Sequence, residues 1–332
     1  MTATRPYERE LTVALRAVRQ AAILCQAVRQ EIDPGTLSKA DLSPVTVADF
    51  GSQALVAREL ARELPADPLV AEEDATDLRL PENVLALESV THHLGKLVPG
   101  ASVEEVLGWI DRGAAPASTD RFWTLDPIDG TKGFLRGDQY AIALALVVNG
   151  QVEVAALACP ALPQSAAPGA PEGVVFAAVR GHGTTSQPLD QPESLAVKIS
   201  VASDADPSAI RFCESFESGH SSHGHAAEVA RLLGITAAPI RMDSQAKYGV
   251  VGRGQAHLYL RLPTRADYRE KIWDHAAGAL VISEAGGVVT DVDGKPLDFS
   301  LGRELTANRG VAASCTPRLH EHVLTALLTA GV

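Results

Sequence analysis

Trp123-Thr124-Leu125-Asp126-Pro127-Ile128-Asp129-Gly130-Thr131 sets two aspartates three residues apart, astride a proline. An apolar strand, Phe122–Leu125, leads into the segment, and a glycine follows it. Proline fixes its own φ and biases Leu125 and Asp126 towards extended backbone, while Gly130 permits a sharp turn. Both carboxylates can then face one side of a strand-end loop. The Ile128 carbonyl, with no ladder partner, is free to point there too. Three oxygens converging from one loop suit a hard divalent cation. Taken alone, Asp-Pro-x-Asp-Gly reads as an ordinary turn rather than a site, because these residues dominate turns.

Outward from this segment the chain alternates strand and helix signals. Downstream, Tyr140–Val148 is an apolar strand, Asn149-Gly150 a hairpin turn and Val152–Leu157 the returning strand. Ala161–Gly173 reads as an Ala/Pro-rich loop, and Val174–Val179 opens a second hairpin that turns at Gly181–Gly183. Beyond Pro207 strands and helices alternate through Val288–Thr290, which predicts an α/β unit over 207–332 after an α+β, metal-binding unit over 1–206. Upstream, Leu11, Leu15, Val18, Ala22, Cys25 and Val28 fall on one face of a helix. Ser43–Thr46 reads as a turn, with a second helix opening at Asp49. Residues 75–119, broken by Pro and Gly, read as an insertion that packs outside or forms a lid.

Further acids join the aspartate pair. Asp49 stands at the expected helix start, Glu72 at the end of the short strand Leu69–Ala71, and Asp274 before the helix Ala276–Glu284. Each alone is read as a cap or a solvated charge. Together with Asp126 and Asp129 they are acids at element ends, where a scaffold presents function. Mg²⁺ keeps several waters and needs few protein carboxylates, so this set suffices for two or three Mg²⁺ ions and a phosphate.

Asp126-Pro-Ile-Asp-Gly-Thr131, Trp273-Asp-His-Ala-Ala-Gly278 with Glu284-Ala-Gly-Gly287, and Ala71-Glu-Glu-Asp74 lying 23 residues beyond Asp49 resemble the signatures of the lithium-sensitive, magnesium-dependent inositol monophosphatase superfamily. Gly130–Tyr140, Asp243–Gly249 and Tyr268–His275 resemble, within it, the branch of 3′(2′),5′-bisphosphate nucleotidases of the yeast and plant type. The resemblance runs from about Asp41 to Ala313 and is weak in 75–119 and 160–195. It implies a layered α-β-α-β-α sandwich and metal binding by Asp49, Glu72, Asp126, the carbonyl of Ile128, Asp129 and Asp274. Glu73 is a rival to Glu72 that matches the motif position less well. It implies that Thr131 pairs with Asp49 to orient the attacking water, with Asp49 as proton acceptor. It also implies nucleotide contacts from Thr131, His220, Ser244, Lys247, Arg261 and Asp274, His223 being a weaker candidate than His220. Inhibition by Li⁺ is expected on the same ground.

The reaction so implied is hydrolysis of the 3′-phosphate of adenosine 3′,5′-bisphosphate, and of 3′-phosphoadenylyl sulfate, without a phosphoenzyme. Cations on the phosphoryl oxygens neutralise charge, and a metal-bound water has a lowered pKa. The alternatives are a phosphatase of inositol phosphates, which shares the metal machinery, and a non-catalytic nucleotide sensor. Lys132, Arg136 and Arg269 read as solvated charges. Gly219-His220-Ser-Ser-His223-Gly-His225 lacks an acidic or thiolate partner for zinc, and Ser221 or Ser222 would cap the helix that follows. No GxSxG elbow or strand–GxGxxG–helix unit is present, which excludes serine-hydrolase and dinucleotide-binding readings.

Composition narrows the partners. The chain has 332 residues, 46% of them hydrophobic and 21% charged, which is a globular balance with chain enough for two domains. Acidic residues outnumber basic by 41 to 29, a net charge of −12, which argues against polymeric nucleic acid or an anionic membrane as partner. A small-molecule nucleotide fits, with positive charge kept local. Cys25, Cys159, Cys213 and Cys315 form no CxxC pair, so a reducing compartment is expected. Arg16 and Arg19 interrupt the N-terminal apolar stretch, which is not that of a secretory signal. A cytoplasmic monomer is the expectation.

Overall fold

The computed structural model describes residues 6–31, 44–117, 119–191, 196–203, 206–216, 222–265 and 267–332. The first sheet has seven strands in chain order, β1 (Leu69–Ala71), β2 (Arg121–Asp129), β3 (Ala141–Val148), β4 (Gln151–Pro163), β5 (Glu172–Val179), β6 (Gly183–Pro188) and β7 (Val197–Ile199). β1 runs parallel to β2, and the other neighbours are antiparallel. The second sheet takes β8 (Phe212–Glu214), β9 (Ile240–Arg241), β10 (Leu258–Arg261), β11 (Val288–Thr290) and β12 (Val311–Ser314) in the order β11-β12-β10-β8-β9.

Helices fill the layers around the sheets. α1 (Glu8–Gln30) and α2 (Pro44–Glu63) cover one face of the first sheet, with α3 (Val84–Leu97) and α4 (Val103–Asp111) packed on α2. The short α5 (Thr131–Arg136) follows β2 directly. α7 (Ala246–Gly252) and α8 (Ala276–Glu284) lie between the two sheets, while α6 (His223–Leu232) and α9 (Pro317–Thr329) close the far side of the second. The result is the α-β-α-β-α sandwich.

The sequence of β3 shows why the layers take this order. Successive side chains of a strand point to opposite faces. Ile142, Leu144 and Leu146 enter the core beneath α1 and α2, whereas Ala141, Ala143, Ala145 and Val147 enter the core shared with α8. Large residues fill the wide space under two helices. Methyl groups let a helix that is itself Ala-rich, Ala276-Ala-Gly-Ala279, approach the other face closely. Gly278 and Gly249 mark the tightest points: a Cβ there would lie 2.2 Å from the rings of Tyr248 and Phe176 respectively. Asn149 and Gly150 both take positive φ, 50° and 74°, as a two-residue hairpin turn demands.

Several sequence expectations are corrected. α2 begins at Pro44, so Pro44–Thr46 is not a turn and Asp49 lies inside the helix rather than at its start. Proline is welcome in a first turn, where its missing N–H would have no partner in any case. β4 continues to Pro163, well into the stretch read as a loop. β12 and α9 carried no expectation. Within 75–119, α3 and α4 add Val90, Leu94, Val106 and Ile110 to the core under α2, and none of the described residues there lines the acidic cavity.

Candidate active site

β1 and β2 end side by side, Ala71 opposite Leu125, so Glu72 and Asp126 emerge as neighbours. The β2–β3 register shifts between Asp126 and Asp129, and this irregularity takes Pro127 and Ile128 out of the ladder. Ser52 of α2 donates to the freed Pro127 carbonyl at 2.8 Å. Gln53, also on α2, holds the main chain of Glu73 from both sides: its Nε2 donates to the carbonyl at 2.6 Å and its Oε1 accepts the N–H at 3.1 Å. One helix thus grips both strand ends, and Asp49, one turn before Gln53, is set against Glu72 and Glu73.

The acids converge. Asp126 is 3% exposed, and its Oδ1 has no hydrogen-bond partner among the described residues. Burial, then the charges of Glu72, Asp129, Asp274 and Asp49, push the Asp126 carboxyl well above its ordinary range. Burial, Glu73 and Glu72 do the same to Asp49. Asp274 is raised by burial and Asp129, against the opposing pull of Arg261. The Glu72 carboxyl meets solvent on one side, yet desolvation on the other, with Glu73 and Asp129, lifts it to about 7. A buried carboxylate oxygen without a donor, among acids that repel one another, is a donor set short of positive charge. It fits a hard cation.

These groups line a cavity of about 400 Å³ whose lining includes the acids Glu72, Asp126, Asp129 and Asp274, with Ile128 and Thr131, and also Ser244, Lys247, Tyr259 and Arg261. Lys247 is 4% exposed, its Nζ 5.3 Å from the Tyr259 ring centre and 3.4 Å from the Met242 carbonyl. Burial lowers its pKa. Burial would also lower Arg261, but Glu270, Tyr259 and Asp274 hold it above its usual value, and its Nε pairs with Glu270 at 3.2 Å. His275 bridges Glu270, at 3.2 Å, and the Tyr248 hydroxyl, at 2.7 Å.

The residues expected from the sequence line this cavity except Asp49, which stands in the field of Glu72, Glu73 and Asp126 without lining it, and His220; the expected Thr131–Asp49 pair is also not formed. No hydrogen bond joins Thr131 to Asp49 among the described residues; Thr131 is exposed at the start of α5, behind Gly130 with its φ of 88°. His220 and Ser221 lie outside the described residues, while Ser222 caps α6 by accepting from the His225 N–H. Lys132 lines the cavity, and Arg136 pairs with Asp138 and Asp243, so neither is a bystander charge. Gln245 was missed. Its N–H donates to Asp129 at 2.5 Å, its Nε2 to the Trp273 carbonyl at 2.8 Å, and its Oε1 accepts from Gly278 at 3.1 Å. The left-handed φ of 67° at Ser244, beside it, lets the loop turn in under Gly130.

The profile described as the inositol monophosphatase family matches residues 7–330. The chain belongs to that family. Among its relatives in the family, a 3′(2′),5′-bisphosphate nucleotidase of Emericella nidulans is 47% identical over 93% of this chain and 94% of its own length. One of Schizosaccharomyces pombe is 44% identical over 93% and 92%. The 3′(2′),5′-bisphosphate nucleotidase 1 of Arabidopsis thaliana is 45% identical over 84% of each. Among solved structures, an inositol monophosphatase from Zymomonas mobilis superposes with a TM-score of 0.64 at 20% identity, over 98% of this chain and 99% of the other. One from Anabaena (Nostoc) gives 0.61 at 18%, over 96% and 95%. At those identities the likeness speaks for the fold alone, and that fold is the five-layer sandwich of this family member.

Proposed function

We propose that this chain is a Mg²⁺-dependent 3′(2′),5′-bisphosphate nucleotidase that releases the 3′-phosphate of adenosine 3′,5′-bisphosphate, and of 3′-phosphoadenylyl sulfate. The observation that carries the reading is the Asp126 Oδ1, without a hydrogen-bond partner among the described residues and buried among mutually repelling acids, in a cavity that Lys247 and Arg261 also line. A phosphomonoester joined to a second anionic group needs both the acids that hold cations and the fixed positive charges. Asp49, Glu72, Asp126, the Ile128 carbonyl, Asp129 and Asp274 would hold two or three ions. Bound there, the ions would offset the charge on the phosphoryl oxygens and acidify water.

The chain's own groups do the rest. Asp49 accepts the proton of the attacking water. The Thr131 hydroxyl orients that water. Lys247 and Arg261 bind the 5′-phosphate, Arg261 through its planar guanidinium and Lys247 as a point charge. Ser244 and His220 contact the nucleoside. Four buried cysteines, with no disulfide between them among the described residues, agree with a reducing, cytoplasmic setting.

Phosphate release from adenosine 3′,5′-bisphosphate and from inositol 1-phosphate, by wild type and Asp49→Asn, tests the reading. The expected result is faster turnover of the nucleotide by wild type and near-complete loss in the variant. Faster turnover of inositol 1-phosphate would make the chain an inositol phosphatase. Tight nucleotide binding with no phosphate release by wild type in Mg²⁺ would make it a sensor.

A further inference from the structure

Residues 303–305 cross from the second sheet to the acidic site and zip onto the segment that carries Asp274. The Arg303 carbonyl accepts from the Ile272 N–H at 3.1 Å, the Leu305 N–H donates to the Glu270 carbonyl at 2.8 Å, and Lys271 pairs with Glu304 at 2.6 Å. The Arg303 side chain then leaves this segment for the end of β1. Its Nη2 donates to the carbonyl of Ala71, the last residue of β1 and the one before Glu72. Its Nη1 reaches the Gly113 carbonyl at 3.4 Å, and that carbonyl also accepts the Ala71 N–H at 2.9 Å. On the way the guanidinium lies 4.8 Å from the ring centre of Trp273, the residue before Asp274.

We propose that Arg303 is a positioning residue for the metal cage: by gripping the Ala71 carbonyl while lying on Trp273, it fixes the distance between Glu72, just past β1, and Asp274, just before α8, two hundred residues apart in the chain. The inference rests on the reading of the acids as a Mg²⁺ site. No other residue type does this work. A planar fork serves two carbonyls and stacks on an indole at once, whereas an ammonium group is a single point. Groups that orient ligands without touching the ion change metal affinity by about ten- to a hundred-fold when lost.

The sign of the effect separates positioning from plain electrostatics. Arg303 puts a positive charge in the field of Glu72 and Asp74. As a mere charge it opposes cation binding, and its removal would tighten Mg²⁺. As a positioning group its removal loosens Mg²⁺, and Lys, which keeps the charge, loosens it too. The experiment is calorimetric titration of Mg²⁺ into wild type, Arg303→Met and Arg303→Lys, with thermal unfolding in EDTA to show that each variant is folded at the titration temperature. The expected result is about ten-fold weaker Mg²⁺ binding in both variants. Unchanged or tighter binding in Arg303→Met, or full affinity in Arg303→Lys, overturns the proposal. Wild type that binds no Mg²⁺ instead overturns the metal reading beneath it.

Discussion

Replacing Asp126 with Asn sets stability against function at one atom. In the metal-free protein Asp126 is 3% exposed, its Oδ1 has no donor, and Glu72, Asp129, Asp274 and Asp49 all disfavour its charge. Its folded pKa is raised, so the folded state holds a proton that the unfolded state has released. The penalty is therefore absent below the ordinary carboxylate range and complete only above the raised value. Asn removes the charge, keeps the shape and brings an N–H₂ donor towards Glu72. Removing an uncompensated buried charge relieves at least the cost of an unsatisfied polar group, about 1–3 kcal/mol, so Asp126→Asn in EDTA is expected to be more stable by about that amount at pH 8 and by less at pH 5. In Mg²⁺ the order reverses. Wild type gains about 2.7 kcal/mol once the ion is at a hundred times its Kd, and the variant gains little. Urea denaturation at both pH values, with EDTA and with Mg²⁺, reads all four states. A variant less stable than wild type in EDTA, or one that keeps the Mg²⁺ gain, refutes the reasoning.

Three other outcomes follow from the same geometry. Glu72, lifted to about 7, makes the metal-free protein lose stability as pH rises from about 4.5 to 7, by less than about 1.4 kcal/mol per unit because its carboxyl meets solvent. The difference between wild type and Glu72→Gln in EDTA isolates that slope, and a flat or rising difference contradicts it. Gly133→Ala places a Cβ 2.1 Å from the Gln139 carbonyl oxygen, and the overpacking cost of about 1–3 kcal/mol exceeds the helix-propensity gain of about 1 kcal/mol. A lower denaturation midpoint is expected. Lys247→Met removes a charged hydrogen bond worth about 1.5–3 kcal/mol, so KM for adenosine 3′,5′-bisphosphate rises about ten- to a hundred-fold while that for adenosine 3′-monophosphate stays within a few-fold.

The parts of the molecule that repeat a local period were readable. Six apolar positions at helical spacing give α1, and Asn149-Gly150 between two apolar runs gives the β3–β4 hairpin. α2 was misread at its start because Pro44 serves a first helical turn as well as it serves a loop, and Asp49 was displaced with it. β12 escaped because its four residues, all buried, carry no alternation. In the site, the Asp126–Asp129 loop could be read because proline and glycine fix its shape. Gln245 and Arg303 could not, because each acts on main-chain carbonyls and amides that the tertiary fold alone brings near, and a carbonyl has no letter in the sequence. The order of the second sheet is likewise a property of long-range pairing.

The methyl-lined middle layer has a bearing on how the molecule comes apart. α8 is wrapped by one sheet on each side, and the core around it takes Ala143 and Phe176 from the first and Tyr259 and Ala313 from the second. Pulling the sheets apart would leave each with a greasy wall facing water, the kind of surface that drives clumping. Heating should therefore melt both sheets in a single calorimetric peak. A nick near residue 206 in the native protein should leave the pieces clasped.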